Sequence, residues 1–111
     1  MVDAAKPTLG YWNIRACSRG NLQRYILGYA GVDYQETTHD VLTEEGRAAW
    51  GATKGTLGLD FPNLPYFIDG DFKLTESMAL HHFLCEKYAP QLIGSTPQEK
   101  GECYMLQNPN R

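Results

Sequence analysis

Asp69-Gly70 stands between two apolar runs, Leu64 to Ile68 and Phe72 to Thr75. A two-residue hairpin turn needs positive φ, which Gly supplies at no steric cost, so the segment is predicted to be a tight antiparallel hairpin. Upstream, the pattern alternates. Thr8 to Trp12 is short, apolar and aromatic and reads as a strand. A polar stretch from Asn13 to Asn21 follows, and Leu22, Tyr25, Ile26, Tyr29 and Ala30 then recur at helical spacing. Gly31 is placed to end that helix as its C′ residue. Tyr34 to Thr38 is β-branched and aromatic and predicts a second strand. Thr43 is the expected cap of a helix over Glu44 to Trp50, and Lys54 to Asn63 reads as a loop. After the hairpin, Thr75 or Glu76 opens a helix whose stripe is Leu80, Phe83, Leu84 and Tyr88, with Pro90 at its exit. Ser95 or Thr96, with Pro97 at the first helical position, opens a last helix near Gln98 to Gln107, which Asn108-Pro109-Asn110 stops.

The order is strand, helix, strand, helix, strand, strand, helix. A βαβ unit followed by a ββα unit is the thioredoxin-like order, an α/β fold, here with one additional C-terminal helix. At 111 residues the chain has the size of one domain. The divisions expected are a leader over 1–7, the thioredoxin-like domain over 8–90, and a linker with a further helix over 91–111. A net charge of −3 argues against a nucleic-acid partner, which usually meets a basic surplus. No apolar run reaches the length that spans a bilayer. The three cysteines, Cys17, Cys85 and Cys103, form no Cys-x-x-Cys pair. Their odd number, with no apolar signal segment, suits a reducing compartment, so a cytoplasmic protein is expected.

Several residues carry candidate chemistry, each beside a plainer role. Leu64-Pro65 precedes a predicted strand, and X-Pro bonds are the ones in which cis is cheap. A cis bond would leave the Leu64 backbone free to pair with an extended peptide; the alternative is a trans proline at a strand start. Thr75-Glu76-Ser77 leads into a helix whose first N–H groups could hold a carboxylate, or it could simply cap that helix. Tyr11 could donate a hydrogen bond to an anion or be a half-buried strand aromatic. Cys17 could be a thiolate at a helix start or a small packing residue. His81 and Cys85 are i, i+4 neighbours, too few ligands to expect a metal.

Three blocks then resemble the N-terminal domain of cytosolic glutathione transferases, most closely the mu class. They are Thr8-Leu9-Gly10-Tyr11-Trp12-Asn13-Ile14-Arg15, Arg47-x-x-Trp50-x-x-x-Lys54, and the long segment from Leu57-Gly58-Leu59-Asp60-Phe61-Pro62-Asn63 through Leu64-Pro65-Tyr66-Phe67-Ile68-Asp69-Gly70. The resemblance implies that Tyr11 is catalytic, donating a hydrogen bond to the glutathione sulfur. It implies that Trp12, Arg47, Trp50 and Lys54 contact the glycyl end, that Asn63, Leu64 and a cis Pro65 hold the cysteinyl part, and that Glu76 and Ser77 grip the γ-glutamyl group. Phe61 resembles the family's dimer key, an aromatic inserted into a partner subunit. Departures from the pattern are Glu76 where the mu class carries Gln, Cys17 in place of an apolar residue, Gly20-Asn21 in the first helix, and His81-His82 in an apolar stretch. The family's all-helical second domain is expected to be missing apart from a truncated start within 91–111.

The function implied is conjugation of the glutathione thiolate to a small electrophile, with glutathione as co-substrate and no metal. The partners implied are glutathione, the electrophile, and a second copy or a larger assembly. The alternatives are an inert subunit serving as a structural or interaction module and, more remotely, a redox protein using Cys17.

Overall fold

A computed structural model describes residues 6–13 and 21–106. Cys17, Gly20 and the Asn108-Pro109-Asn110 stop lie outside the described residues.

Four strands form one mixed sheet: β1 (Thr8–Trp12), β2 (Gln35–His39), β3 (Tyr66–Asp69) and β4 (Phe72–Thr75), in the order β2-β1-β3-β4. β1 pairs parallel with β2, Thr8 opposite Gln35, and antiparallel with β3, Gly10 opposite Tyr66. The helices are α1 (Asn21–Tyr29), α2 (Glu44–Thr53), α3 (Ser77–Tyr88) and α4 (Pro97–Leu106), with short 3-10 turns at Lys54–Thr56 and Pro90–Leu92. This is the thioredoxin-like βαβ-ββα arrangement with a C-terminal helix.

The local reasons match the residues. Gly31 sits at φ 70, donates its N–H to the Gly28 carbonyl, and is followed by a Val32 N–H to Leu27 carbonyl bond. These two bonds make a Schellman motif that ends α1. At α2 the Thr43 hydroxyl accepts the Gly46 N–H at 2.9 Å. At α4 Thr96 and Glu99 cap reciprocally: Thr96 Oγ1 accepts the Glu99 N–H, and Glu99 Oε1 accepts from the Ser95 and Thr96 N–H groups. That is a capping box.

The structure moves several boundaries. The hairpin turn is Gly70-Asp71, because Asp69 still pairs with Phe72; Gly70 at φ 63 takes the first turn position, as a II′ turn requires. β3 begins at Tyr66, since Pro65 has no N–H to give a ladder. α2 runs one turn past Trp50 to Thr53, and the stretch read as loop opens with the 3-10 turn at Lys54–Thr56. α3 opens at Ser77 without any side-chain cap, so Thr75-Glu76 does not simply cap it.

Two apolar clusters form, and on β3 the adjacent Tyr66 and Phe67 are divided between them. Leu9 and Phe67 meet Leu27 of α1 and Leu80 and Leu84 of α3, all fully buried. The second cluster comprises Tyr11, Trp50, Leu59, Leu64 and Tyr66, with Trp12 packed against it. In the first, five fully buried large side chains each contribute roughly 1.5–3 kcal/mol of burial, so it anchors the fold.

Candidate functional site

Strand register gathers the candidate residues. Tyr66 is opposite Gly10 on one side and Thr75 on the other. Tyr11 follows Gly10, Pro65 precedes Tyr66 and Glu76 follows Thr75 in the chain, so the three gather at the same end of the sheet. Thr75 Oγ1 donates to the Phe61 carbonyl at 2.8 Å, which ties the 57–65 loop to the end of β4.

The Leu64–Pro65 peptide is cis. The Leu64 N–H is not free as expected: it donates to Asn63 Oδ1 at 2.9 Å. Asn63, exposed at the end of its loop, thus satisfies the backbone donor of buried Leu64.

Glu76 has φ 77 and ψ 118 and is the one non-glycine residue with positive φ among the described residues. Such a conformation costs on the order of 1–3 kcal/mol and concentrates at ligand sites. Its carbonyl accepts the Leu80 N–H at 2.9 Å, so the strain sets the entry angle of α3. The first N–H groups of α3 lie beside an exposed carboxylate that does not cap them. Behind them, fully buried Gln23 donates to the Ser77 carbonyl at 3.2 Å, and its own Oε1 has no partner among the described residues.

Tyr11 is buried, and the Arg24 guanidinium lies 5.9 Å from its ring centroid. Arg24 is held by a two-pronged pair with Glu36, through Nε at 3.0 Å and Nη2 at 2.8 Å, both side chains largely buried. Trp12 meets Trp50 edge-on, with centroids 6.2 Å apart. Arg47 and Lys54 are exposed, Arg47 three residues before Trp50 on α2 and Lys54 four after it, at the C-cap of that helix. Arg47 Nη1 donates to the Val41 carbonyl at 2.7 Å. Tyr11, Trp12, Trp50, Leu64 and Pro65 are thus brought together, with Asn63, Glu76 and Ser77 on the rim. Phe61 is 74% exposed and stands apart from this group.

Sequence reasoning missed three contributors. The Arg24–Glu36 pair spans α1 and β2, and a lone Arg at helical spacing carries no mark of it. Tyr66 stacks on Trp50 at 6.0 Å, its ring lying where a side chain on Gly10 would be: a Cβ there would come within 2.0 Å of the ring. His39, just past the β-branched run, packs its ring 4.7 Å from Trp50 and sets Nε2 2.9 Å from the Tyr66 hydroxyl. Burial pushes the His39 pKa down and that of Tyr66 up.

A wide cleft lies elsewhere, between the Pro90–Leu92 turn and α4, lined by Leu92, Cys103 and Met105. It opens broadly to solvent, and the Glu99 carboxylate on its wall is committed to the α4 cap. The sheet end, with its converging polar groups, is the better candidate. Among the described residues no three His, Cys, Asp or Glu gather as metal ligands, and no helix is long and apolar enough to cross a membrane.

The family model described as "Glutathione S-transferase, N-terminal domain" matches residues 7–86. The chain is 42% identical over 101 residues to the glutathione S-transferase class-mu 26 kDa isozyme of Schistosoma mansoni, covering 91% of this chain and 48% of that protein. It is 40% identical to glutathione S-transferase Mu 4 of Mus musculus, over 91% of this chain and 45% of that protein. Among solved structures, a nematode-specific glutathione S-transferase of C. elegans superposes with a TM-score of 0.73 at 30% identity, covering 93% of this chain and 45% of that one. The structure of Blo t 8, another glutathione S-transferase, superposes with a TM-score of 0.74 at 35% identity, over 90% of this chain and 43% of that one. The chain spans about half the length of the curated relatives it matches.

Proposed function

The chain belongs to the glutathione S-transferase family through its N-terminal domain, with relatives in the mu class, and from this premise we propose that it binds glutathione and presents its thiolate to a small electrophile. The observation that carries the reading is the meeting, at one end of the sheet, of Tyr11, the cis Leu64–Pro65 peptide and the strained Glu76 at the mouth of α3. An extended tripeptide with a carboxylate at each end suits that geometry.

The γ-glutamyl carboxylate would take the Ser77 N–H and hydroxyl at the positive end of α3. The γ-glutamyl ammonium would pair with the Glu76 carboxylate. The cysteinyl backbone would take the Leu64 N–H, displacing Asn63 Oδ1, whose side chain then turns to the ligand. The glycyl carboxylate would meet Arg47 and Lys54, with the Trp12 and Trp50 rings flanking it. Tyr11 would donate its O–H to the sulfur. A free thiol has a pKa of about 8.5, so a donor aimed at the anion raises the thiolate fraction at neutral pH. In the reaction the thiol proton goes to solvent. The sulfur lone pair forms a bond to the electrophilic carbon, and a leaving group departs with its electron pair.

The exposed Phe61 is offered as the dimer contact, and a cytoplasmic setting fits a chain with no membrane-spanning helix among the described residues. A conjugation assay with an aromatic halide at saturating glutathione tests the reading. The wild type should exceed the uncatalysed rate, and Tyr11→Phe should lose about a hundredfold in kcat, the scale of one lost donor to a developing anion. A wild-type rate equal to the uncatalysed one overturns it.

A further inference from the structure

We propose that His39 is a positioning residue for Trp50, wedged between the indole and the Tyr66 phenol so that the ring flanking the ligand's glycyl end is held in one orientation; this rests on the glutathione reading above. His39 is the last residue of β2 and stands opposite Trp12 in the parallel register, with the Asn13 N–H donating to its carbonyl at 2.9 Å. Its backbone is therefore fixed by the sheet. Its ring has two neighbours, Trp50 at 4.7 Å and Tyr66 at 5.7 Å between centroids. Trp50 and Tyr66 in turn lie nearly parallel, with 12° between their planes.

The three rings form a closed triangle, and each edge restricts the other two. The phenol is pinned at its far end by His39 Nε2 at 2.9 Å and by the Thr37 side chain. Its near face is fixed by the absence of a side chain at Gly10. Trp50 comes from α2, an element anchored to the sheet through few other large side chains: it is the one buried residue of that helix. The orientation of the indole, and with it the placing of Arg47 on the same helix and of Lys54 just past its end, therefore depends on what the indole rests against. His39 and Tyr66 supply that support, while Trp12 bears on the edge. Aromatic contacts at such separations prefer tilted or offset geometries, as found here.

The experiment uses the full chain and glutathione itself. His39→Ala should raise the glutathione Kd about fivefold, the scale of one lost aromatic contact. His39→Phe, which keeps the ring and loses the hydrogen bond, should stay within about twofold of wild type. In a Trp50→Phe background His39→Ala should change the Kd no further, since non-additivity marks residues that act through one another. A purely structural role would lower the melting temperature of His39→Ala and leave the Kd unchanged, and that result overturns the proposal. A second readout needs no ligand. In a Trp12→Phe background Trp50 is the sole tryptophan. Its emission maximum and anisotropy should shift on His39→Ala and be retained on His39→Phe. Unaltered emission overturns the proposal even where the wild type binds no glutathione, whereas a shift without glutathione binding keeps the His39–Trp50 coupling and removes only the ligand reading.

Discussion

Glu76 shows how a single residue can be set against its own backbone preference. Its φ of 77 is disfavoured for any side chain with a Cβ, and no hydrogen bond from its carboxylate into α3 offsets the cost. Glu76→Gly should therefore stabilise the fold by about 1 kcal/mol, the strain relieved less the entropy that glycine adds to the unfolded chain. The same change should weaken glutathione binding at least tenfold, as expected on losing a charged partner. Urea denaturation and calorimetric titration of one variant would show both effects, and a less stable Glu76→Gly would refute the strain argument. At this scale the sequence was partly legible. Thr75-Glu76-Ser77 could be singled out because a polar triplet led into an apolar helix, but nothing in three letters shows a positive φ. Tyr11 was ambiguous for the same kind of reason, since a phenol at a strand end has one composition and two uses. His39 was invisible: its partners lie 11 and 27 positions away and meet it only through the crossing of β2, α2 and β3.

At the level of elements, local chemistry was the better guide. The Thr43 cap, the Gly31 stop and the Pro97 start each act within one turn of helix, so each could be foreseen from neighbouring residues. The errors came where pairing decides. Asp69-Gly70 was the natural turn by composition, yet ladder pairing of Asp69 with Phe72 shifted the turn by one residue. Thr43 has a double role: its Oγ1 accepts the Gly46 N–H and also donates to Asp40. Asp40 accepts the Leu42 N–H as well, and these bonds, the hydroxyl's first, hold its pKa below the usual carboxylate value. Thr43→Ala should cost about 1 kcal/mol by urea unfolding, as cap removals do, with Asp40 titrating nearer its ordinary value by NMR. Because α2 carries Arg47 and Trp50 and leads directly into Lys54, the same variant should weaken glutathione binding without touching a ligand contact.

For the whole molecule, two imidazoles, buried His81 and half-buried His39, set the acid response. Burial lowers the pKa of His39, and burial followed by the charge of His82 lowers that of His81, whose Nε2 has no partner among the described residues. In the unfolded chain both titrate near 6.5, so unfolding takes up protons below that pH. Stability should be complete above about pH 6.5 and fall as the pH drops toward the depressed folded values. Asp40 and Glu99, held low by their hydrogen bonds, lose their contribution only in the more acidic range below about 3.9 to 4.3. Urea midpoints measured from pH 8 to pH 5 should decline, and His81→Leu should flatten the decline while leaving the neutral-pH midpoint no lower. An unchanged slope in that variant would assign the response elsewhere. The strand and helix order, and so the architecture, was legible because every element carried its own period and punctuation. The charge balance of the interior was not, because burial belongs to no single residue.

The two apolar clusters share no residue. One is aliphatic apart from Phe67 and gathers Leu9, Leu27, Leu80 and Leu84; the other is largely aromatic and includes Tyr11, Trp50 and Leu64 of the proposed ligand wall. Descendants of such a chain inherit two dials. Drift in the leucines changes how much heat the fold withstands, while drift among the rings changes what the molecule holds, and a lineage can explore either without forfeiting the other.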